Sequence, residues 1–429
     1  MTASRARALY SAGLAAATPL VAGYLLWRSR RQPAYRAHWA ERWALYGAAP
    51  DGQGAPRTAP TIWLHAVSLG ETRAAAPLVA ALRAAWPSHR LLVTQMTPTG
   101  REAAQQLFGE QAEIAYLPYD YPYAVRRFYD RFAPSLGILM ETELWPNLIA
   151  HARDRGLPLA LVNARLSPRS FARAQRFAGL AHDALGALAL VAAQTEDDAE
   201  RLRRLGARDP VVTGNLKFDL QPPEALIARG RAWRAGFARP RVLLAASTRE
   251  GEEALLLEAL ARSPNPRRLL VLVPRHPQRF DEVARLAEQA GLRVARRSRT
   301  ERMQADVDVW LGDSMGELPA YYAAADVAFV GGSLLPFGGQ NLIEACACGA
   351  PVLVGPHTFN FAQAAEQAIE AGAARRVDDA AGLLRAAEAW LDDPDARTAA
   401  GQAGLRFAAA HRGATQRTVA LLARLLTAA

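Results

Sequence analysis

Thr61-Ile-Trp-Leu-His-Ala-Val-Ser-Leu-Gly-Glu71 is the stretch from which the fold of this 429-residue chain can be read. Its apolar run, 62–66, is too short for a helix and stops at a serine and a glycine; an alanine- and leucine-rich helical stretch follows at 72–85. A short apolar run bounded by turn residues and followed by a helix is one β-α step of a parallel sheet. The step recurs downstream, with strands predicted at 91–94, 113–116, 136–140, 159–163, 190–193 and 211–213, and helical stretches such as 195–205 between them. At 221–240 the pattern breaks into Pro222-Pro223 and an arginine-rich segment ending at Pro240. A second series then predicts strands at 242–246, 269–273, 292–295, 307–311, 327–330 and 352–354. The expectation is an α/β protein of two Rossmann-like, doubly wound domains with a cleft between them. The predicted divisions are a membrane anchor at 1–30, a first domain at 31–220, a linker at 221–240 and a second domain at 241–429, whose last helices are free to pack back on the first.

Composition narrows the function. Arginine and lysine together number 51, yet Lys217 is the single lysine, and the formal net charge is +10. Such a balance favours anionic partners: phospholipid, nucleotide, acidic substrate or nucleic acid. No basic-aromatic run or recognition-helix motif supports nucleic acid. Where arginine replaces lysine almost everywhere, a lysine that persists marks either chance or a position needing a compact ammonium instead of a planar fork. Cys346 and Cys348, one residue apart in a helical stretch, suit neither a disulfide nor a metal cage and fit a reduced, cytosolic body. Residues 9–26 carry no charge and are followed by Arg28, Arg30, Arg31, Arg36 and Arg42. That order predicts an anchor in or on a membrane with the downstream chain on the cytoplasmic side.

The polar, punctuated segments mostly follow predicted strands, the edge where open α/β sheets bind ligands. Glu71 opens a helix after Gly70, and reads either as a first-turn acid favoured by the helix dipole or as a general base. Glu141 and Glu143 follow a strand beside Trp145, where an apolar setting would raise a carboxyl pKa; otherwise they belong to a polar loop closed by Pro146. Phe337-Gly-Gly-Gln-Asn341 reads as a tight turn into a helix carrying Glu344, a place for backbone N–H groups to meet a phosphate or for a carboxylate to take ribose hydroxyls. Pro274-Arg275-His276-Pro277 brings a cation to the same edge. Asp306-Val-Asp308 has the form of a metal-binding pair but opens a strand, and no other spacing suits a metal.

Taken in order, SLGET (68–72), QMTPTGR (95–101), METELWPN (140–147), NARLS (163–167), GNLKFD (214–219), ASTREGEE (246–253), VPRHPQRF (273–280), GDSMGEL (312–318), GGSLLPFGGQN (331–341) and GPHTFNF (355–361) resemble the 3-deoxy-D-manno-octulosonic acid (Kdo) transferases of lipopolysaccharide synthesis. The resemblance runs from the N-terminal stretch to about residue 377. It implies a GT-B fold on the cytoplasmic face of the inner membrane, and transfer of Kdo from CMP-Kdo to the tetraacyl disaccharide bisphosphate precursor of lipid A, with inversion and without metal or other cofactor. It further implies Glu71 as general base and Glu141 and Lys217 as transition-state stabilisers. CMP would be held by Pro274, Arg275, Met315, Gly316, Glu317, Asn341, Leu342, Ile343 and Glu344. The family often has histidine where this chain has Gln340, which removes a cation there. Another GT-B enzyme using a UDP-sugar is the competing reading.

Overall fold

The computed structural model describes residues 3–47, 59–299 and 306–427. The chain forms two compact units, Met1–Leu220 with Arg412–Ala429, and Gln221–His411.

In the first unit β1 (Thr61–His65), β2 (Arg90–Gln95), β3 (Glu113–Tyr116), β4 (Pro134–Met140), β5 (Leu159–Ala164), β6 (Leu190–Ala193) and β7 (Val211–Val212) stand in the order β3-β2-β1-β4-β5-β6-β7. In the second, β8 (Arg241–Thr248), β9 (Arg268–Pro274), β10 (Val294–Arg296), β11 (Val309–Leu311), β12 (Val327–Val330), β13 (Val352–Val354) and β14 (Ala374–Arg376) stand in the order β10-β11-β9-β8-β12-β13-β14. Every ladder is parallel. Central strands such as β1 and β12 are buried at every position, because helices cover both sheet faces; hence their apolar runs do not alternate. The strand order reverses direction between β1 and β4 in one sheet and between β8 and β12 in the other.

Several local readings change. The stretch 72–85 is two helices, Leu69–Ala74 and Ala76–Ala85, because Pro77 lacks an N–H and is tolerated only in a first turn. Strand β14 carries no apolar run, since two of its three residues are arginines on an edge strand. The expected linker 221–240 is instead part of the second unit. Pro223 caps a helix, Glu224–Gly236, that packs on helix Leu318–Ala324 so closely that a Cβ at Gly230 would lie 2.2 Å from the Ala320 carbonyl. Trp233 of that helix meets Trp310 and Tyr321, each with ring centroids 5.1 Å apart. The second unit ends at His411; of the last helices, allowed by the sequence to pack back on the first domain, Ala414–Thr427 does so and places Ala414 and Leu422 in its core.

The first element is a 29-residue helix, Ala3–Arg31, whose stretch Arg5–Arg30 is long and apolar enough to cross a membrane by length and composition.

Candidate active site

In the first unit the ends of β1, β4 and β5 converge with the turn after β7. Ser68 caps helix Leu69–Ala74 by accepting the Glu71 backbone N–H at 3.4 Å. Glu71 reaches back: one carboxylate oxygen accepts the Val67 N–H at 2.8 Å and the other accepts the Ser68 hydroxyl at 3.1 Å. These bonds fix the side chain at the end of β1, where the strand order reverses. Burial, with the nearby charges of Glu141 and Glu143, pushes its carboxyl up to about 7. A carboxyl with that pKa shares a proton with its surroundings near neutrality, as a general base must.

Glu141 leaves β4 in the left-handed region, φ +57°, a conformation that costs a non-glycine residue about 1–3 kcal/mol. Its N–H stays in the sheet edge by donating to Val162 O at 3.0 Å, and its side chain meets Lys217 Nζ at 3.3 Å. Both side chains are largely buried. Glu143 accepts the Trp145 indole N–H at 2.8 Å, and burial raises its pKa.

Lys217 sits in a short 3-10 turn, Leu216–Asp219, pinned at three points. Asn215 accepts the Lys217 N–H at 2.9 Å, Asn163 accepts the Leu216 N–H at 3.0 Å, and Asp219 accepts the N–H groups of Gly413 and Thr415 at 2.6 Å each. The turn is thus tied to β5 and to the returning C-terminal segment. Asn163 has φ +53°, an angle asparagine tolerates better than most residues. Asn163 and Asp219 lie inside NARLS and GNLKFD, but nothing local in the sequence points to these long-range contacts. His65 ends β1, buried and bonded to Thr94, and burial holds it neutral with a pKa near 3.

In the second unit the switch point lies between β8 and β12. Glu252, fully buried, accepts the N–H groups of Arg249 (2.9 Å), Gly332 (2.6 Å) and Leu334 (2.9 Å). It therefore fixes the loop 331–341 to the end of β8, a task the sequence did not reveal, because a glutamate after Gly251 reads as an ordinary first-turn acid. Gly338 and Gly339 take φ +92° and +77°, and a Cβ at Gly338 would lie 2.4 Å from the Asn360 amide nitrogen. Arg275, directly after β9, donates from Nε to the Gln340 side-chain oxygen at 3.3 Å. A neutral amide at 340 supplies the acceptor this arginine uses, whereas a protonated histidine would repel it.

The helix after the turn, Leu342–Ala347, has only six residues, and Asn341 already caps it by accepting the Ile343 N–H at 3.2 Å. Met315, half exposed, and Gly316, φ +80°, follow β11, and Glu317 is paired with Arg229 at 2.7 Å and Arg297 at 3.1 Å. Burial works against ionisation of Glu317, but a Ser314 hydrogen bond and these arginines outweigh it and lower its pKa. Three strand spacings separate β11 from β12 through β9 and β8, about 14 Å. Met315–Glu317, Arg275 and Asn341–Glu344 thus form a row along one sheet edge of this unit.

Asp308 is held by Arg239 at 2.6 Å and Arg293 at 3.1 Å, which explains the Asp306-Val-Asp308 pattern as structural. Among the described residues no group of three or more metal-ligating side chains comes together. Cys346 is buried, which pushes its thiol up to about 12.

Residues 37–220 match the family model described as 3-deoxy-D-manno-octulosonic-acid transferase, and 252–407 match glycosyl transferases group 1. The chain is 49% identical to the 3-deoxy-D-manno-octulosonic acid transferase of Bordetella pertussis over 96% of this chain and 98% of that protein. With the Haemophilus influenzae enzyme of the same name it shares 38% identity over 97% and 98%. Among solved structures, a glycosyltransferase from Rickettsia africae aligns with TM-score 0.59 at 14% identity, covering 86% of this chain and 99% of that one. The UDP-GlcNAc 2-epimerase of Neisseria meningitidis aligns with TM-score 0.59 at 15% identity, covering 85% and 100%. At such identities these two share the fold, the two-Rossmann GT-B architecture.

Proposed function

Because the chain belongs to the 3-deoxy-D-manno-octulosonic acid transferases, Kdo-transferring glycosyltransferases, we propose that it moves Kdo from CMP-Kdo to the tetraacylated disaccharide bisphosphate precursor of lipid A, with Glu71 as general base. Glu71 takes the proton of the acceptor hydroxyl as that oxygen attacks the anomeric carbon from the face opposite the phosphate. The bond to CMP breaks, and the anomeric centre is inverted. Glu141 faces the positive charge that develops on the sugar. Lys217 holds Glu141 in place and offers its ammonium to the donor's carboxylate or phosphate. The leaving group is a phosphate monoester and carries less charge than a nucleoside diphosphate; Arg275 and the N–H groups of the 338–341 turn are suited to receive it without a metal ion. Met315, Gly316 and Glu317 lie at the far end of the same row, with Pro274, Asn341, Leu342, Ile343 and Glu344 between and beside them, a length suited to a nucleotide monophosphate.

One observation carries the reading: a carboxyl near pKa 7, fixed by Val67 and Ser68, beside a glutamate that is itself paired with the chain's only lysine. An acylated acceptor keeps its chains in the bilayer, and the arginines after residue 26 support a location on the cytoplasmic face of the inner membrane. Titration calorimetry of the purified chain with CMP and with UDP tests the donor. Binding of CMP well ahead of UDP is expected, and preference for UDP would return the chain to the UDP-sugar enzymes. The configuration of the new glycosidic centre, read by NMR, tests inversion; a retained centre would remove Glu71 as a single-step base.

A further inference from the structure

We infer that the N-terminal helix Ala3–Arg31 lies in the plane of the membrane, docked along one face on the first unit, and does not cross the bilayer. This rests on the membrane reading above and goes beyond it. Exposure along the helix follows its 3.6-residue period. Tyr10, Ser11, Leu14, Thr18, Leu25 and Ser29 are buried or half-buried on one side. The other side, from Ala8 to Trp27, is exposed and carries no charge; Leu9 is 62% exposed, Leu20 77% and Trp27 49%. Arg5 and Arg30 close that exposed face at its two ends.

The covered side makes specific polar contacts with the folded unit. The Asn147 side-chain amide donates to the Ser11 hydroxyl at 2.9 Å, and the Thr18 and Tyr121 hydroxyls meet at 2.5 Å. Tyr121 also donates to the Leu14 carbonyl at 3.4 Å. Asn147 is itself fixed by Asp120, which takes the N–H groups of Asn147 and Leu148 at 2.9 and 2.8 Å. At the other end Arg36 donates to Ser29 at 3.0 Å and the Arg28 guanidinium lies 4.6 Å from the Tyr35 ring centre.

With residues 11–18 held on the folded unit, only 19–31 remain for a span, about 20 Å of helix against the roughly 30 Å of a hydrocarbon core. A span would also draw Asp120 and Asn147 into hydrocarbon with the backbone groups they satisfy, which is costly. An uncharged face with Tyr24 and Trp27 and an arginine at each end matches a phospholipid interface, with the guanidinium groups at the headgroups.

The test uses the full chain carrying Arg5→Cys or Arg30→Cys, expressed in a Gram-negative host. Each variant is labelled with a membrane-impermeant maleimide in spheroplasts and in inside-out vesicles, and the unaltered chain gives the background from Cys346 and Cys348. Both positions are expected to label only in inside-out vesicles. Labelling of Arg5→Cys in spheroplasts would mean a span and overturn the inference. If the unaltered chain fails to sediment with phosphatidylethanolamine–phosphatidylglycerol vesicles, the membrane reading itself falls. Leu20→Asp with Trp27→Asp should weaken that sedimentation about tenfold or more while thermal unfolding stays unchanged; undiminished binding would remove this face as the contact.

Discussion

The proposed chemistry rests on Glu71, Glu141 and Lys217, and substitutions at Glu71 and Lys217 separate their roles. Glu71→Gln keeps one oxygen for the Val67 N–H and an amide for Ser68, so the fold should survive while kcat falls about 100- to 10,000-fold, the usual worth of a general base. CMP affinity, which the proposal assigns to the second unit, should not change; titration calorimetry beside steady-state kinetics separates the two. A base must be deprotonated to act. With the Glu71 carboxyl raised to about 7, the unaltered enzyme should gain kcat/KM as pH rises towards 7 and level off above it. A flat pH profile between 5 and 8 would remove Glu71 from the chemistry. Lys217→Arg preserves charge, yet the 3.3 Å contact with Glu141 is made by a compact ammonium in a mostly buried space. A wider, planar guanidinium would move the charge away from the ammonium's position, and kcat should drop about 100-fold with CMP binding intact. The sequence marked all three positions. It did not show that Glu71 reaches back to the Val67 N–H and the Ser68 hydroxyl, because a helix-start acid is written with the same letter whatever its side chain holds.

At the level of elements, two carboxylates, the buried Glu252 and the half-buried Asp219, each fix a loop in one unit. Glu252→Gln replaces an acceptor oxygen by a donor facing the N–H groups of Arg249, Gly332 and Leu334. Each buried donor left unpaired costs about 1–3 kcal/mol, so urea unfolding should show a loss of about 2 kcal/mol with weaker CMP binding. Asp219→Ala frees the N–H groups of Gly413 and Thr415, and should cost about 0.5–2 kcal/mol of stability together with turnover, since the same turn carries Lys217. Strands were legible because parallel strands covered on both faces read as apolar runs; β3, β6, β12 and β13 begin and end where their sequence does. Elements whose signal is polar were not. Strand β14 hides behind Arg375 and Arg376, and the helix Glu224–Gly236 is recognised only through its fit on Ala320. Long-range acceptors such as Asn163 and Asp219 leave no local pattern, because their partners lie more than fifty residues away along the chain.

For the whole molecule, chain order and unit boundaries do not coincide: the last helix belongs to the first unit. Ending the chain at His411 should therefore abolish transfer, by removing the partners of Asp219, while the second unit keeps CMP affinity. Loss of CMP binding in that truncation would contradict the division into units. The charge of +10 and the docked N-terminal helix suit a protein that works on an anionic lipid at a membrane surface. The most direct test of the central claim is mass spectrometry of the acceptor after incubating the full chain with CMP-Kdo and the tetraacyl disaccharide bisphosphate in detergent micelles. The account predicts acceptor heavier by at least one Kdo residue, with CMP released in equal amount, and no such product from Glu71→Gln. Unmodified acceptor from a folded, CMP-binding chain, or normal product from Glu71→Gln, would contradict it.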